Sequence, residues 1–459
     1  MEDARMSLPE AFRPFAEGAP CAVIVRMVLE YLIDETMLGI LFAENADEQY
    51  EREITLGNLV NIMLDVACGS RRSPRAAYLA RKDQIAASIT AFYGKLNRTE
   101  LGISEAVVEY SAKQAGPLIR AMKGLQKEPV PGVKTYVLDG NMLAGTEHRL
   151  KPLRQTRSAA LPGKSLAVYE YATGLITKVL LWEDAHSQER ALLPDLEIQS
   201  GMHLIADRNF CVTSFLLRLQ QANAFFTIRR HGSSFPLNPA GRERYRGLCP
   251  TGKVSEQKIQ VTDDDGQVVF FRKITLTLDV PTRDGETEIV LISNLPAKVH
   301  ATTIAIAYRQ RWTIEQHFQR LTDWLHCEIS TLGQPRAALF AFSMSLVAAN
   351  AFAVLIAALR AVHGEEAADN LSYMYLVDEV GATYRGMMLA LPPRRWSFIR
   401  RCPVRQTARL LLDISRHANL RVLTKSRRGP KKPQAKIPKP KTPHVSTYRV
   451  LKEAREKPC

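Results

Sequence analysis

The run VKTYVLDGN, residues 133–141, is rich in β-branched and aromatic residues and stops on an aspartate, Asp139. Such residues suit a pleated, buried surface, so the run reads as a strand, introduced by the linker Pro129-Val130-Pro131-Gly132. A second run of the same kind, MHLIADRNF at 202–210, ends its apolar part on Asp207. Between them lie SLAVYEYAT (165–173) and ITKVLLWED (176–184), two strands separated by Gly174, then SQERALLPDL (187–196), a short helix. After Asp207 come CVTSFLLRLQQAN (211–223), helical, and AFFTIRRH (224–231), a fifth strand. A three-strand meander followed by strand–helix–strand predicts an α/β layer on a mixed five-stranded sheet.

An ionised carboxylate at the end of a buried strand is expensive unless its charge is put to use. One strand-end Asp often only caps the next helix. Two in one α/β unit, Asp139 and Asp207, call for a third partner. AYRQRWTIEQHFQRL at 307–321 supplies it: Tyr308, Arg311 and Glu315 stand at i, i+3 and i+7 of a helix expected from Thr302 to Leu325. At about 100° per residue they share a stripe roughly 60° wide. The ordinary reading is a surface ion pair between Arg311 and Glu315. The chemical reading is a face turned toward phosphate and metal. Phosphoryl transfer on DNA needs an in-line nucleophile and charge neutralisation on two oxygens, which two divalent ions about 4 Å apart provide. Mg2+, with Mn2+ as a substitute, prefers oxygen ligands, so the expected donors are Asp139, Asp207 and Glu315. Glu147, Glu183, Asp184 and Asp323 lack either the strand-end position or the stripe. Trp312 suits packing more than stacking on an unpaired base.

Outward from this unit the texture changes. Residues 231–299 alternate apolar and polar, with Asp-Gly turns at 265–266 and 284–285, and read as an antiparallel β insertion. Asp263-Asp264-Asp265 falls on such a turn and reads as turn chemistry rather than a metal cluster. Residues 20–128 and 336–424 read as helical. RRSPRAAYLARK, with Arg71, Arg72, Arg75, Arg81 and Lys82 around a Ser-Pro helix start, reads equally as a DNA-contacting module or a solvated basic face. From Ala337 to Leu359 no residue is charged, a length that spans a bilayer. Its nine alanines, with Ser343, Ser345 and Asn350, suit a buried helix better.

The 459 residues carry a net charge of +15, which points to a polyanionic partner. Eight Lys or Arg and no acid lie between Lys425 and Lys441, leaving about +7 on the rest. This Lys/Pro-rich tail, 425–459, reads as disordered or extended. The seven scattered cysteines form no CxxC pair, and read as reduced thiols of a cytosolic protein with neither zinc site nor disulfides. The first residues, MEDARMSLPEAFRPF, lack a signal-peptide pattern.

Together VLDGN, LIADRNF and Y-x2-R-x3-E resemble the DDE transposases of bacterial insertion sequences, most closely the family numbered four. The resemblance covers residues 20–380 or so and implies an RNase H-like core interrupted by a β insertion. By motif it makes Asp139, Asp207 and Glu315 the catalytic, metal-binding carboxylates and sets Tyr308 and Arg311 against DNA phosphates. A Lys normally stands seven residues after the Glu; here that residue is Thr322. The division expected is a DNA-binding helical region 1–128, core 129–230, insertion 231–299, Glu-bearing helix 300–335, helical region 336–424 and tail 425–459. The activity implied is cut-and-paste transposition: strand cleavage at the element's ends, a hairpin intermediate, then strand transfer to target DNA. Its partners are double-stranded DNA with terminal inverted repeats and a second copy of the chain on paired ends, in a cytoplasmic, nucleoid-associated setting without a membrane. Two rivals stand beside it, a catalytically silent DNA-binding descendant and a basic membrane-associated protein using 337–359.

Overall fold

Period-two alternation in TYVLD puts Val137 and Asp139 on one face of a strand and Leu138 on the other. The computed structural model describes residues 8–426 and 443–456, apart from 233, 234, 236, 263–265, 283 and 284. In it this run is strand β1 (Lys134–Met142). With it go β2 (Lys164–Glu170), β3 (Leu175–Trp182), β4 (Met202–Ala206) and β5 (Phe225–Arg229). They lie in the order β3-β2-β1-β4-β5. The meander β1-β2-β3 is antiparallel, whereas β4 and β5 run parallel to β1. The helix Thr213–Gln221 makes the crossover between the last two strands. This is the mixed five-stranded α/β core expected, and it is compatible with an RNase H-like domain.

The insertion is not a separate layer. Its strands β6 (Asn238–Pro239), β7 (Arg244–Cys249), β8 (Gly252–Thr262), β9 (Val268–Leu278) and β10 (Glu288–Ser293) extend the same sheet to ten strands. The junction is antiparallel pairing of β10 on β5, with Ile292 opposite Ile228. Left alone, β5 would present a row of unpaired backbone groups; β10 covers that edge. Gly266 and Gly285 have φ of +77° and +85°, as turn glycines do. Asp263-Asp264-Asp265 itself lies outside the described residues.

The two faces of the sheet pack differently. Leu138, Leu204, Ala206, Phe226 and Ile228 form one core with the helix Thr213–Gln221. Val137 and Ala167 on the opposite face join a much larger helical core. That core contains α1 (Pro20–Leu32), α2 (Leu56–Ala67), α3 (Leu101–Met122), α5 (Trp312–Trp324), α6 (Pro335–His363), α7 (Tyr373–Ala390) and α8 (Val404–Ser415). Helix α4 (Ala301–Tyr308) instead packs on the β4, β9 and β10 side. Helices before and after the sheet therefore share one interior, running from Phe12 to Leu423, rather than forming a front domain and a back region. Apolar periodicity announces each helix but not its distant partner. The expected single helix from Thr302 to Leu325 is also divided, by a 3-10 turn at Arg309–Arg311.

Helix α6 lies at the centre of the helices, with every residue from Ala337 to Leu355 buried. It is the one described helix long and apolar enough to cross a membrane. Its polar residues explain why it is here instead. Asn350, fully buried, accepts from Ile176 N at 2.8 Å and donates to Ile176 O at 3.1 Å and Ser111 Oγ at 2.9 Å. It thus completes the backbone of edge strand β3 and ties it to α3. Close approach elsewhere is just as tight: a Cβ on Gly124 would sit 2.4 Å from the Ala357 carbonyl oxygen. Replacing Asn350 with Ala or Leu would leave two buried backbone groups unpaired. We expect a loss of about 2–4 kcal/mol, read as a fall in the midpoint of denaturant unfolding. An unchanged midpoint would mean the edge is satisfied some other way.

The tail also departs from expectation. His444–Ser446 pairs in parallel with Ala159–Leu161, and the helix Thr447–Glu456 follows. Arg449 Nη2 lies 2.8 Å from Asp184 Oδ2. Segment 443–456 is thus docked to the sheet domain by backbone pairing and an ion pair, not extended into solvent. Basic residues between Arg427 and Lys441 lie outside the described residues.

Candidate active site

Register brings the two aspartates together. Leu138 on β1 pairs with Ala206 on the parallel neighbour β4, so Asp139 and Asp207 follow side by side. Asp139 does not end its strand, for β1 continues to Met142 against β2. What ends there is β4, and the opening this leaves exposes the rim. Alternation gives Asp139 the face of Val137 and Asp207 the face of Ile205. Val137 shares a core with Ile314 and Phe318 of α5, and Ile205 shares one with Ile304 and Tyr308 of α4. Both aspartates thus face the helical segment that carries Glu315.

Arg311 joins the three. Its side chain is only 9% exposed, and its Nη1 bonds Glu315 Oε1 and lies 3.6 Å from Asp139 Oδ2. Asp207 is within its electrostatic reach as well. The i, i+4 pair with Glu315 exists as the bland reading supposed, but it points inward to a third and fourth charge. Burial pushes the Asp139 carboxyl up to about 7; Arg311 and the Gly140 N–H, 3.0 Å from Oδ1, pull it down, while Glu315 and Asp207 push it up. Tyr308 is buried beside Arg311 and Asp207, with its ionisation driven far up by burial and the Arg311 guanidinium beside it opposing that rise.

Tyr308 and Arg311, expected against DNA phosphates, are 6% and 8% exposed, and both line the carboxylate cluster from inside. The reason is the turn at Arg309–Arg311, which sets the start of α5 onto the rim of β1. Trp312, read as packing, is instead 60% exposed beside the site, with the Arg311 guanidinium 5.5 Å from its ring centre. It is the residue a spacing argument undervalued. Thr322 is exposed, and its hydroxyl bonds back to Phe318 O at 3.2 Å. The other carboxylates are occupied or remote: Glu147 pairs with Arg149, Glu183 with Arg336, Asp184 with Arg449, and Asp323 is exposed. In the helical front, Ser73 caps the helix Pro74–Ala80 as expected, and Arg81 is held by Asp65 at 2.8 Å, while Arg72, Arg75 and Lys82 show no such pairing.

Three carboxylates from β1, the end of β4 and α5 are the donor chemistry of a hard divalent cation. No group of three or more acids, histidines or cysteines among the described residues stands close enough to enclose one, however. A guanidinium lies among these oxygens instead, supplying one positive charge where two ions would supply four. The set fits such ions in donor type, and would close around them only with Arg311 moved off Glu315.

Residues 136–351 match the family model of the transposase DDE domain. The matched span opens on β1, closes within α6 and includes Asp139, Asp207 and Glu315. Over this span the chain carries a transposase DDE domain, in keeping with the resemblance to insertion-sequence enzymes. No curated protein matches it.

The raised Asp139 bears on metal binding here. A cation taken up by this carboxyl would have to displace a proton below about pH 7 and none above it. Affinity should therefore rise by up to about tenfold per pH unit from 5 to 7 and level off beyond. The same carboxyl holds a proton in the folded chain that the unfolded chain has already lost. Its contribution to stability of the metal-free protein accordingly falls as pH rises from about 4 to 7 and stays low above. Mn2+ titrations followed by calorimetry at several pH values check the first statement. A flat affinity from pH 5 to 8 would contradict it.

Proposed function

We propose that this transposase performs cut-and-paste transposition, with Asp139, Asp207 and Glu315 holding two Mg2+ or Mn2+ ions at the ends of an insertion sequence. The observation that carries the reading is the convergence of these side chains on one rim around a buried guanidinium. When bound, such ions activate the nucleophile and neutralise charge on the attacking and leaving oxygens. The chain's own part is positional. β1 and β4 fix two carboxylates on a rigid sheet, and α5 brings the third across from the opposite side. Arg311 balances them in the metal-free protein and, released, becomes a guanidinium next to the DNA phosphates, where a planar fork grips two oxygens. Tyr308 offers its hydroxyl in the same place. Trp312 supplies an exposed aromatic face for a base turned out of the duplex.

The DNA steps proposed are those that the resemblance implies. Water attacks the phosphodiester at the element's end and frees a 3′-OH. That hydroxyl attacks the opposite strand to close a hairpin, which is reopened before the 3′-OH attacks target DNA. The substrates are duplex ends with inverted repeats, held by two copies of the chain. The excess of basic residues, the 425–441 run among them, binds the backbone without sequence preference and so with a steep salt dependence. The setting is the bacterial cytoplasm, at the nucleoid.

The test is an end-bearing duplex incubated with the protein. Nicks with 3′-OH termini and a hairpin product should appear with Mg2+ or Mn2+ and vanish in EDTA. Binding without any cleavage in either metal would instead favour a silent DNA-binding descendant, and cleavage in EDTA would end the two-metal reading.

A further inference from the structure

On the side of α5 away from Glu315 there is a cavity of about 130 Å3, between this helix, α6 and the start of α7. Three cations line it: Arg320 from α5, Arg360 from the last turn of α6, and Lys425 from the chain after α8. Asp369 is the single acid, so the lining carries a net charge of +2 by three minus one. Arg320 has no ion pair or hydrogen bond with any described residue; it lies over the Tyr373 ring, 5.2 Å from its centre. Arg360 spends one Nη1 bond on Gly124 O at 3.0 Å, and its buried Nε has no partner. Lys425 donates to the Asp369 carbonyl at 2.7 Å, and burial with the nearby Arg320 holds its pKa down.

Neutral polar groups point the same way. The Tyr373 hydroxyl and His317 Nε2 are both buried and both without a hydrogen-bond partner among the described residues. Unpaired buried donors are uncommon, and a cluster of them marks a missing partner. Water would satisfy the donors but would leave two positive charges unbalanced in a partly enclosed space. An anion does both.

We propose that this cavity is a phosphate-binding site, in which Arg320, Arg360 and Lys425 grip a tetrahedral oxyanion and Tyr373 donates to it. Guanidinium forks match two oxygens of such an anion at once. A cavity of this volume has room for several waters, and so for a phosphate. The phosphate comes either from a DNA backbone or from free solution. In both cases it fastens the back of the helix whose front presents Glu315, because His317 and Arg320 stand on that same helix.

The experiment uses the full chain without metal, so no cleavage enters and its outcome is separable from that of the two-metal reading. Inorganic phosphate is titrated against thermal unfolding and phosphorus NMR linewidth, with chloride at matched ionic strength as the control. Saturable stabilisation specific to phosphate is expected. Arg320→Gln and Arg360→Gln should each weaken it by about tenfold, the worth of one charge-assisted contact. Lys425→Ala, at an exposed residue with little to lose in folding, should weaken it several-fold and serves if the arginine variants do not fold. A short duplex that displaces the bound phosphate identifies the backbone as the source; phosphate retained beside bound DNA identifies the free anion. Stabilisation equal to that in chloride, or unchanged in the folded variants, overturns the proposal.

Discussion

Asp139→Asn, Asp207→Asn and Glu315→Gln should each reduce strand cleavage by about 10^3-fold or more, equivalent to roughly 4 kcal/mol of transition-state stabilisation. Each change keeps the shape of the side chain and removes the negative charge that offsets a divalent cation. As proposed ligands of one metal site, the three groups should act as a unit and the effects should not add: a double variant should be hardly worse than either single one. Binding of an end-bearing duplex should persist, since the basic surface elsewhere is untouched. Stability should respond in the opposite direction for Asp139. Its carboxyl is buried and pushed up to about 7, so an uncharged amide at this place removes an electrostatic burden. Asp139→Asn should therefore unfold at an equal or higher temperature than the parent at pH 8, while losing its activity. That pairing, more stable and inactive, is hard to obtain from a residue whose role is only structural.

Arg311→Ala should have the second largest effect, and of a different kind. The guanidinium is the only cation in contact with Asp139 and Glu315 among the described residues. Its removal leaves carboxylates facing one another, and breaking a fully buried pair costs about 3–5 kcal/mol. Here Glu315 is 37% exposed and solvent screens part of this, so about 2 kcal/mol is the expected loss at pH 8. Divalent metal should restore most of it, because the ions replace the missing charge. The variant should then bind metal more tightly than the parent in the absence of DNA, yet cleave poorly, having lost its phosphate contact. Thermal melts with and without Mg2+ separate these contributions. A variant as stable as the parent in metal-free buffer, with unaltered metal affinity, would show that Arg311 is not the counter-charge of the site.

Much of this site is legible in the amino-acid sequence itself. Asp139 and Asp207 stand out because an apolar run that stops on a carboxylate is costly unless the charge is used. Glu315 stands out because a helical period lines it up with Tyr308 and Arg311. What the pattern cannot convey is direction. An i, i+4 pair between Arg311 and Glu315 looks the same whether it faces water or a sheet rim, and no Gly or Pro marks the turn at Arg309–Arg311 that decides the matter. Partners are hidden in the same way. Alternation in 253–296 reveals strands, but not that β10 will pair with β5 and extend the sheet. Helices α1 and α6 each advertise an apolar surface, and nothing local says that they meet. At the other end, a Lys/Pro-rich run masks the short strand and helix of 444–456 that return to the body of the protein. The helical front keeps Arg72, Arg75 and Lys82 out of any ion pair with a described residue, which suits DNA contact, although a solvated face has the same appearance.

Asp139, Asp207 and Glu315 are proposed to form one divalent-metal site from which Arg311 withdraws, and crystals of the full chain with an end-bearing duplex, soaked in Mn2+ and measured at the manganese absorption edge, would show it. Two anomalous peaks about 4 Å apart are expected between the three carboxylates, with the Arg311 guanidinium moved off Glu315 onto a DNA phosphate. Manganese bound elsewhere, or a rim without metal and with the Arg311–Glu315 pair intact beside correctly placed DNA, would contradict it.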